Sequence, residues 1–285
     1  MTQPRREFLQ GLAAALASSA WLGDVRAAQN APAAAAASSG HDMSQMPASW
    51  TGKEQIAMLL YPQFTALDFV GPQYMLASLM GATVHHVAKT RTPVTSDTRL
   101  AFLPSATFKE CPKDLDILFV PGGSSGTLAA IADEETLAFL ADRGRRAKLV
   151  TSVCTGSLLL GAAGLLKGYR ATSHWATREL LPLVGATAVD ERVVQDRNRI
   201  TGAGVSAGLD LGLTIVGLLR GRTYAEAVQL LAEYAPQPPY SAGSTKTAPP
   251  EVKGMLDGMF TGFVGNAGKA LAKARRAKSR DRDHG

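Results

Sequence analysis

The amino-acid sequence predicts an α/β protein, a single domain built on a doubly wound, largely parallel sheet. Three observations carry this expectation. From Gln55 onward, short apolar runs alternate with segments of helical period. The helical segments are long enough, at about 10 to 15 residues, to serve as crossovers between parallel strands, which lays helices on both faces of the sheet. The composition, 285 residues with 46% hydrophobic and 19% charged, is that of a globular chain.

Taken in order, Ile56 to Leu60 is an apolar run of strand length, and Phe69 to Leu79 continues as a helix. Thr83 to Ala88 is the second strand. His85 and His86 lie within it and point to opposite faces, so they cannot both ligate one metal ion. Asp116 to Val120 is a strand closed by Pro121-Gly122-Gly123, Glu134 to Arg146 a helix, and Leu149 to Val153 a strand followed by a helix from Gly156 to Leu166. The small residues Ala203 to Gly208 precede an apolar helix, Leu209 to Leu219, and suit close helix packing; they lack the lysine and spacing of a phosphate loop. Thr223 to Tyr234 is a further helix, stopped at Pro236-Gln237-Pro238-Pro239.

Charge and cysteine content exclude several classes. Of the net charge of +6, the segment from Lys269 to Gly285 carries +5 and residues 1–28 carry +1, so the body between them is neutral. A neutral body lacks the basic face that nucleic-acid binding needs. No run reaches the roughly 18 uncharged apolar residues of a membrane-spanning helix. Two cysteines, Cys111 and Cys154, cannot make a disulfide scaffold or a four-ligand zinc site, and both are expected to be free thiols.

The ends read as extensions. Arg5-Arg6 stands before the apolar stretch Leu12 to Leu22, with small residues at Ala27-Ala28, so residues 1–28 resemble a twin-arginine export signal and imply a periplasmic location. Residues 29–50 are an alanine-rich linker and residues 51–250 the domain. In residues 251–285, Met255/Leu256, Met259/Phe260 and Phe263/Val264 recur every four residues, giving an apolar helical stripe ahead of a disordered basic tail. The stripe would dock on the body or on a partner copy; the sharper alternative is a weak contact with an anionic membrane surface.

Doubly wound sheets bind ligands outside the carboxyl ends of their strands. Asp68, Gly122-Gly123 and Cys154 fall there. Cys154 sits where a strand breaks straight into a helix, with glycine two residues on, the geometry of a nucleophile elbow. The helix N-terminus is expected to stabilise a thiolate. Read alone, Asp68 could equally cap the helix that follows it, and Thr155 the next one. His174, before Trp175, either approaches the thiol or ties down a loop.

Several segments together carry a family resemblance over roughly residues 54–250. Leu67-Asp68-Phe69-Val70-Gly71-Pro72, Val120-Pro121-Gly122-Gly123, Thr151-Ser152-Val153-Cys154-Thr155-Gly156-Ser157, Ala171-Thr172-Ser173-His174-Trp175, Thr201-Gly202-Ala203-Gly204 and Glu233-Tyr234-Ala235-Pro236 resemble the DJ-1/PfpI superfamily, and within it the isonitrile hydratase branch. The resemblance implies a flavodoxin-like, class I glutamine amidotransferase-like fold and a homodimer acting on a small molecule without metal or organic cofactor. It implies Cys154 as nucleophile, Asp68 as the acid beside it, Thr155 as a substrate- or water-positioning hydroxyl, and Gly123, with Gly122 next to it, as backbone donor facing the substrate. The protease-like members carry histidine after the nucleophile; Thr155 here argues against a peptidase. A similar body also occurs in AraC-type regulators, so a non-catalytic ligand-binding domain is one alternative, and a glyoxalase-like or redox-responsive relative another. Against transcription control stand the export signal and the 35 residues after Pro250, too few for a helix-turn-helix domain.

Overall fold

The structure, a computed structural model, describes residues 46–283. The export-signal segment 1–28 and the linker up to residue 45 lie outside the described residues. The elements are β1 (Gln55–Leu59), α1 (Ala66–Ala77), β2 (Thr83–Ala88), β3 (Val94–Thr95), β4 (Ala101–Phe102), β5 (Ala106–Thr107), β6 (Ile117–Val120), α2 (Ser125–Ile131) and α3 (Glu134–Arg146). There follow β7 (Leu149–Val153), α4 (Gly156–Ala162), β8 (Arg170–Ala171), a 3-10 segment (Arg178–Val184), β9 (Thr187–Ala188), β10 (Val193–Asp196), β11 (Arg199–Gly202), α5 (Ala207–Arg220), α6 (Arg222–Leu231) and α7 (Pro250–Asp283).

Seven strands form the main sheet in the order β10-β11-β7-β6-β1-β2-β5, parallel throughout except for the antiparallel pair β10–β11. From β1 the chain winds outward through β2 and β5, then returns to the other side of β1 as β6 and continues through β7. The reversal lies between β1 and β6, and at such a switch point the loops at the carboxyl ends diverge and leave a crevice. Asp68 follows β1, Gly122-Gly123 follow β6 and Cys154 follows the adjacent β7, so all three candidates gather there. The central strands are buried on both faces; Ile56, Met58, Ile117, Phe119, Val150 and Val153 are fully covered, as crossover helices require.

Non-local contacts move several boundaries. Helix α1 begins at Ala66, before Phe69, because the Ala66 N–H finds an acceptor in Asp97 Oδ1 at 3.1 Å, from the β3–β4 turn. Asp68 is therefore in the first turn of α1, and the cap is Thr65; the capping role open to Asp68 in the sequence is not the one it takes. Helix α4 stops at Ala162, short of Leu166, where Gly164 turns left-handed at φ +81°. The close helix packing expected of Ala203 to Gly208 is present, with α1 as the partner: a Cβ on Gly208 would stand 2.8 Å from Pro72.

The last residues assigned to the linker belong to the body. Trp50 packs edge-on against Tyr224 with ring centroids 4.8 Å apart, and its carbonyl accepts from Arg220 Nε at 3.0 Å. Arg220 also makes a bidentate pair with Glu54, at 2.6 and 2.5 Å.

Helix α7 differs from expectation in two ways. Helix continues through the basic segment to Asp283, where a disordered tail was expected. The apolar pairs also divide: Phe260 packs on Trp175, and Ala267 and Leu271 are buried, while Met255 and Met259 are 70% and 64% exposed. Among the described residues no helix is long and apolar enough to cross a membrane.

Candidate active site

Cys154 is the first residue after β7 and holds a left-handed backbone, φ +57°. That conformation costs an L-residue about 1–2 kcal/mol and persists only where the surroundings over-determine it. Four hydrogen bonds do so here. The Cys154 N–H donates to Gly202 O at 3.1 Å and Ala203 O at 2.7 Å. Its carbonyl accepts from the hydroxyls of Ser157 and Ser173, each at 3.1 Å. The elbow also needs Gly156, where a Cβ would lie 2.3 Å from Val120 O.

The thiol is 6% exposed. Burial, first, and the neighbouring Asp68 charge hold it well above the usual thiol range, against the Thr155 N–H that favours the thiolate. The expected lowering by the helix N-terminus does not prevail, since α4 has only seven residues and its dipole acts against full desolvation of the charge. Cys154 therefore rests as a thiol, and its ionisation needs a base.

Asp68 is placed to be that base. Its carboxyl is fully buried, and burial pushes its pKa up to about 7; the Gly122 N–H and the Cys154 thiol act in the opposite sense, and Asp97 adds a small push upward. Oδ2 accepts from Gly122 N–H at 2.9 Å. Oδ1 is buried without a hydrogen-bond partner, so the thiol stands close enough to favour the carboxylate yet outside hydrogen-bond geometry with it. A carboxyl balanced near neutrality beside a nucleophile is suited to carry one proton back and forth.

The two glycines after β6 and the Thr155 hydroxyl are engaged with one another. Gly122 N–H is held by Asp68, and Gly123 N–H donates to Thr155 Oγ1 at 2.9 Å. The Thr155 hydroxyl donates back to Gly123 O at 2.7 Å and bonds Thr127 Oγ1 at 2.9 Å. Gly123 N–H and the Thr155 hydroxyl thus bond each other, and both the N–H and the hydroxyl of Thr155 act on the Cys154 sulfur in favour of the thiolate. At Gly122 a Cβ would stand 2.6 Å from Thr155 N and 2.7 Å from Asp68 Oδ2. Gly122→Ala is expected to separate the two residues, lowering turnover at least about 100-fold and destabilising the fold by about 1–3 kcal/mol, the cost typical of overpacking; steady-state kinetics and thermal melts measure both.

His174 lies in a groove of about 490 Å³ beside the elbow, walled by Leu67, Trp175, Ala203 and Gly204. Its Nδ1 accepts from Ala176 N–H at 3.3 Å, its ring packs against Phe260 and Trp175, and no hydrogen bond joins it to Cys154. These contacts are those of the loop-tying role, on a ring that also lines the groove. A larger groove, about 770 Å³, lies at the carboxyl ends of β1 and β2; neither groove is lined by Cys154, Asp68 or Thr155, and the smaller one reaches the elbow through Ala203, whose carbonyl accepts from Cys154 N–H. Both cysteines are free and buried. Ser173, Thr127 and Tyr61 escaped the sequence reading. For Ser173 the signal was its place in the segment before His174, whereas Tyr61 and Thr127 carry no local mark.

Comparison with known proteins bears on this geometry. Residues 54–218 match the DJ-1/PfpI family. The chain belongs to the DJ-1/PfpI family. It is 52% identical over 198 residues to the isonitrile hydratase of Pseudomonas putida, covering 70% of this chain and 86% of that protein. Its fold superposes on the crystal structure of a THiJ/PfpI family protein from Pseudomonas syringae with a TM-score of 0.78 at 57% identity, over 82% of this chain and 96% of that one. A more distant likeness, 30% over 192 residues, is to the HTH-type transcriptional regulator GbdR of Pseudomonas aeruginosa, of whose length the chain spans about half (51%).

Proposed function

We propose that this DJ-1/PfpI protein hydrates an isonitrile, R–N≡C, to an N-substituted formamide, with Cys154 as nucleophile and Asp68 as proton carrier. The observation that carries the reading is the pairing of an over-determined, desolvated thiol with a buried carboxyl whose pKa lies at about 7. The 52% identity to a protein named isonitrile hydratase supports the choice of substrate class.

The steps balance as follows. The Asp68 carboxylate takes the Cys154 S–H proton as sulfur bonds to the terminal carbon, and returns it to that carbon, giving the thioimidate R–N=CH–S–Cys154. Water then adds to the same carbon: its oxygen bonds to carbon, one proton reaches nitrogen, and Asp68 carries the transfer. Collapse of R–NH–CH(OH)–S–Cys154 forms C=O, breaks C–S and returns the hydroxyl proton to sulfur, releasing R–NH–CHO. Incubation of the protein with an alkyl and an aryl isocyanide, with formamide followed by NMR, tests the reading. Turnover of methylglyoxal without any formamide would overturn it in favour of a glyoxalase-like activity.

We also propose a periplasmic location, supported by Arg5-Arg6 ahead of Leu12 to Leu22. Full-length protein confined to the cytosol on cell fractionation, identical to an Arg5/Arg6→Lys control, overturns it. A homodimer is proposed from Leu67, Val70 and Tyr74, which leave one face of α1 exposed beside the groove; a monomer in sedimentation at micromolar concentration overturns that.

A further inference from the structure

We propose that Tyr61 and Thr127 are positioning residues for the thiol–carboxyl pair: a buried file of three hydroxyls, Tyr61–Thr127–Thr155, clamps the Pro121–Gly123 turn so that Gly122 N–H stays on Asp68. The rate assay below rests on the hydratase reading; the thiol assay does not.

The file is continuous. Tyr61 Oη donates to Pro121 O at 2.9 Å and bonds Thr127 Oγ1 at 3.1 Å. Thr127 Oγ1 bonds Thr155 Oγ1 at 2.9 Å, and Thr155 holds both the N–H and the carbonyl of Gly123. The turn is pinned from β1's side as well, by Thr65 N–H on Gly122 O at 2.8 Å. All three hydroxyl residues are buried. Three hydroxyl protons serve four contacts: with the Tyr61 proton on Pro121 O and the Thr155 proton on Gly123 O, the Thr127 proton goes to one neighbouring hydroxyl at a time, Thr155 at 2.9 Å or Tyr61 at 3.1 Å, so no donor is spare. Such a saturated network cannot serve as a ligand donor, yet it sets the turn from both ends, and the middle residue of that turn touches Asp68.

The groups facing Asp68 are the Cys154 thiol, the Gly122 N–H, Asp97 across the start of α1, and Tyr61 beneath. Of these only the Gly122 N–H is a fixed donor that favours the carboxylate. Loosening the clamp weakens that donor and leaves burial and Asp97 opposed by the Cys154 thiol alone, so the carboxyl releases its proton at higher pH.

The test uses the full chain with Tyr61→Phe, Thr127→Val and Thr127→Ser. Two profiles against pH are measured: kcat/KM for an alkyl isocyanide, and the rate of alkylation by iodoacetamide, followed at the Cys154 peptide by mass spectrometry so that Cys111 does not interfere. In Thr127→Val and Tyr61→Phe the rising limb of both profiles is expected to move upward by about half to one pH unit, with kcat/KM at pH 7 down about two- to fivefold, a shift in line with loss of one hydrogen bond to a carboxylate. Thr127→Ser, which keeps the hydroxyl, is expected to restore the wild-type limb. Folded variants whose limbs do not move, or a Thr127→Ser variant shifted as far as Thr127→Val, overturn the proposal. Tyr61→Phe is isosteric and keeps the test open if the valine variant fails to fold. A moved alkylation limb in a protein that hydrates no isocyanide supports the clamp and overturns the hydratase reading.

Discussion

Cys154→Ala is expected to abolish formamide production from an isocyanide, lowering kcat by about four orders of magnitude or more, the scale on which removal of a nucleophile that works as a unit with its base is felt. The fold should survive. The left-handed turn is held by the backbone N–H and C=O of residue 154, through Gly202, Ala203, Ser157 and Ser173, and none of those four bonds uses the sulfur. A melting temperature within a few degrees of wild type, together with lost turnover, is the expected pair of results. A variant that still hydrates isocyanide at a tenth of the wild-type rate removes Cys154 from the reaction. Cys154→Ser is expected to fall nearly as low, because a buried hydroxyl beside a carboxyl of pKa about 7 is far harder to ionise than a thiol.

Asp68→Asn is expected to lower kcat/KM by about 10²- to 10⁴-fold, the range for a general acid–base group, and to stabilise the protein at the same time. In the wild type only the carboxylate can accept the thiol proton, so kcat/KM should rise with pH through about 7 and fall away below it. In the asparagine variant that limb should be absent. The stability argument has the opposite sign. The folded-state pKa of about 7 stands above the reference 3.8, so the folded protein holds this proton more tightly than the unfolded chain. The corresponding stabilisation is complete below about pH 4 and is lost as pH rises through about 7. Three pH units correspond to about 4 kcal/mol. Asparagine stays neutral and avoids this penalty, but its amide N–H groups meet only sulfur on the Oδ1 side, which returns part of the gain. At pH 8 the variant should be more stable by about 2 kcal/mol, and the gap should close toward pH 4. Melts at the two pH values read this directly; a variant less stable than wild type at pH 8 removes the argument that burial sets the Asp68 pKa.

How much of this could be read from the chain depends on distance along it. The elbow was legible because strand, cysteine, threonine and glycine are consecutive, and the need for a small residue at 156 follows from the turn itself. The strands were legible because parallel strands covered on both faces are continuous apolar runs. What could not be read was the fate of groups decided elsewhere. The start of α1 is drawn back to Ala66 by Asp97, 31 residues away. The Thr155 hydroxyl looks free to meet a ligand until Thr127, 28 residues upstream, and Tyr61, 66 residues before that, are seen to claim it. The Cys154 pKa was misjudged for a related reason: a helix dipole is a local property visible in sequence, whereas complete burial is a property of the whole packed sheet.

The reversal of the winding between β1 and β6 has a consequence for how activity is acquired. Asp68, Gly122 and Cys154 come from three segments that no hairpin joins; each is brought to the crevice only after a crossover has been laid down and its strand seated in parallel register. Parallel pairing closes long loops before contacts reward it and is slow for that reason. The thiol–carboxyl pair therefore has no half-made version in a partly folded chain. Helical signal can return early during refolding while catalysis waits for β6 to dock between β1 and β7, which makes turnover a late and stringent reporter that the sheet has closed.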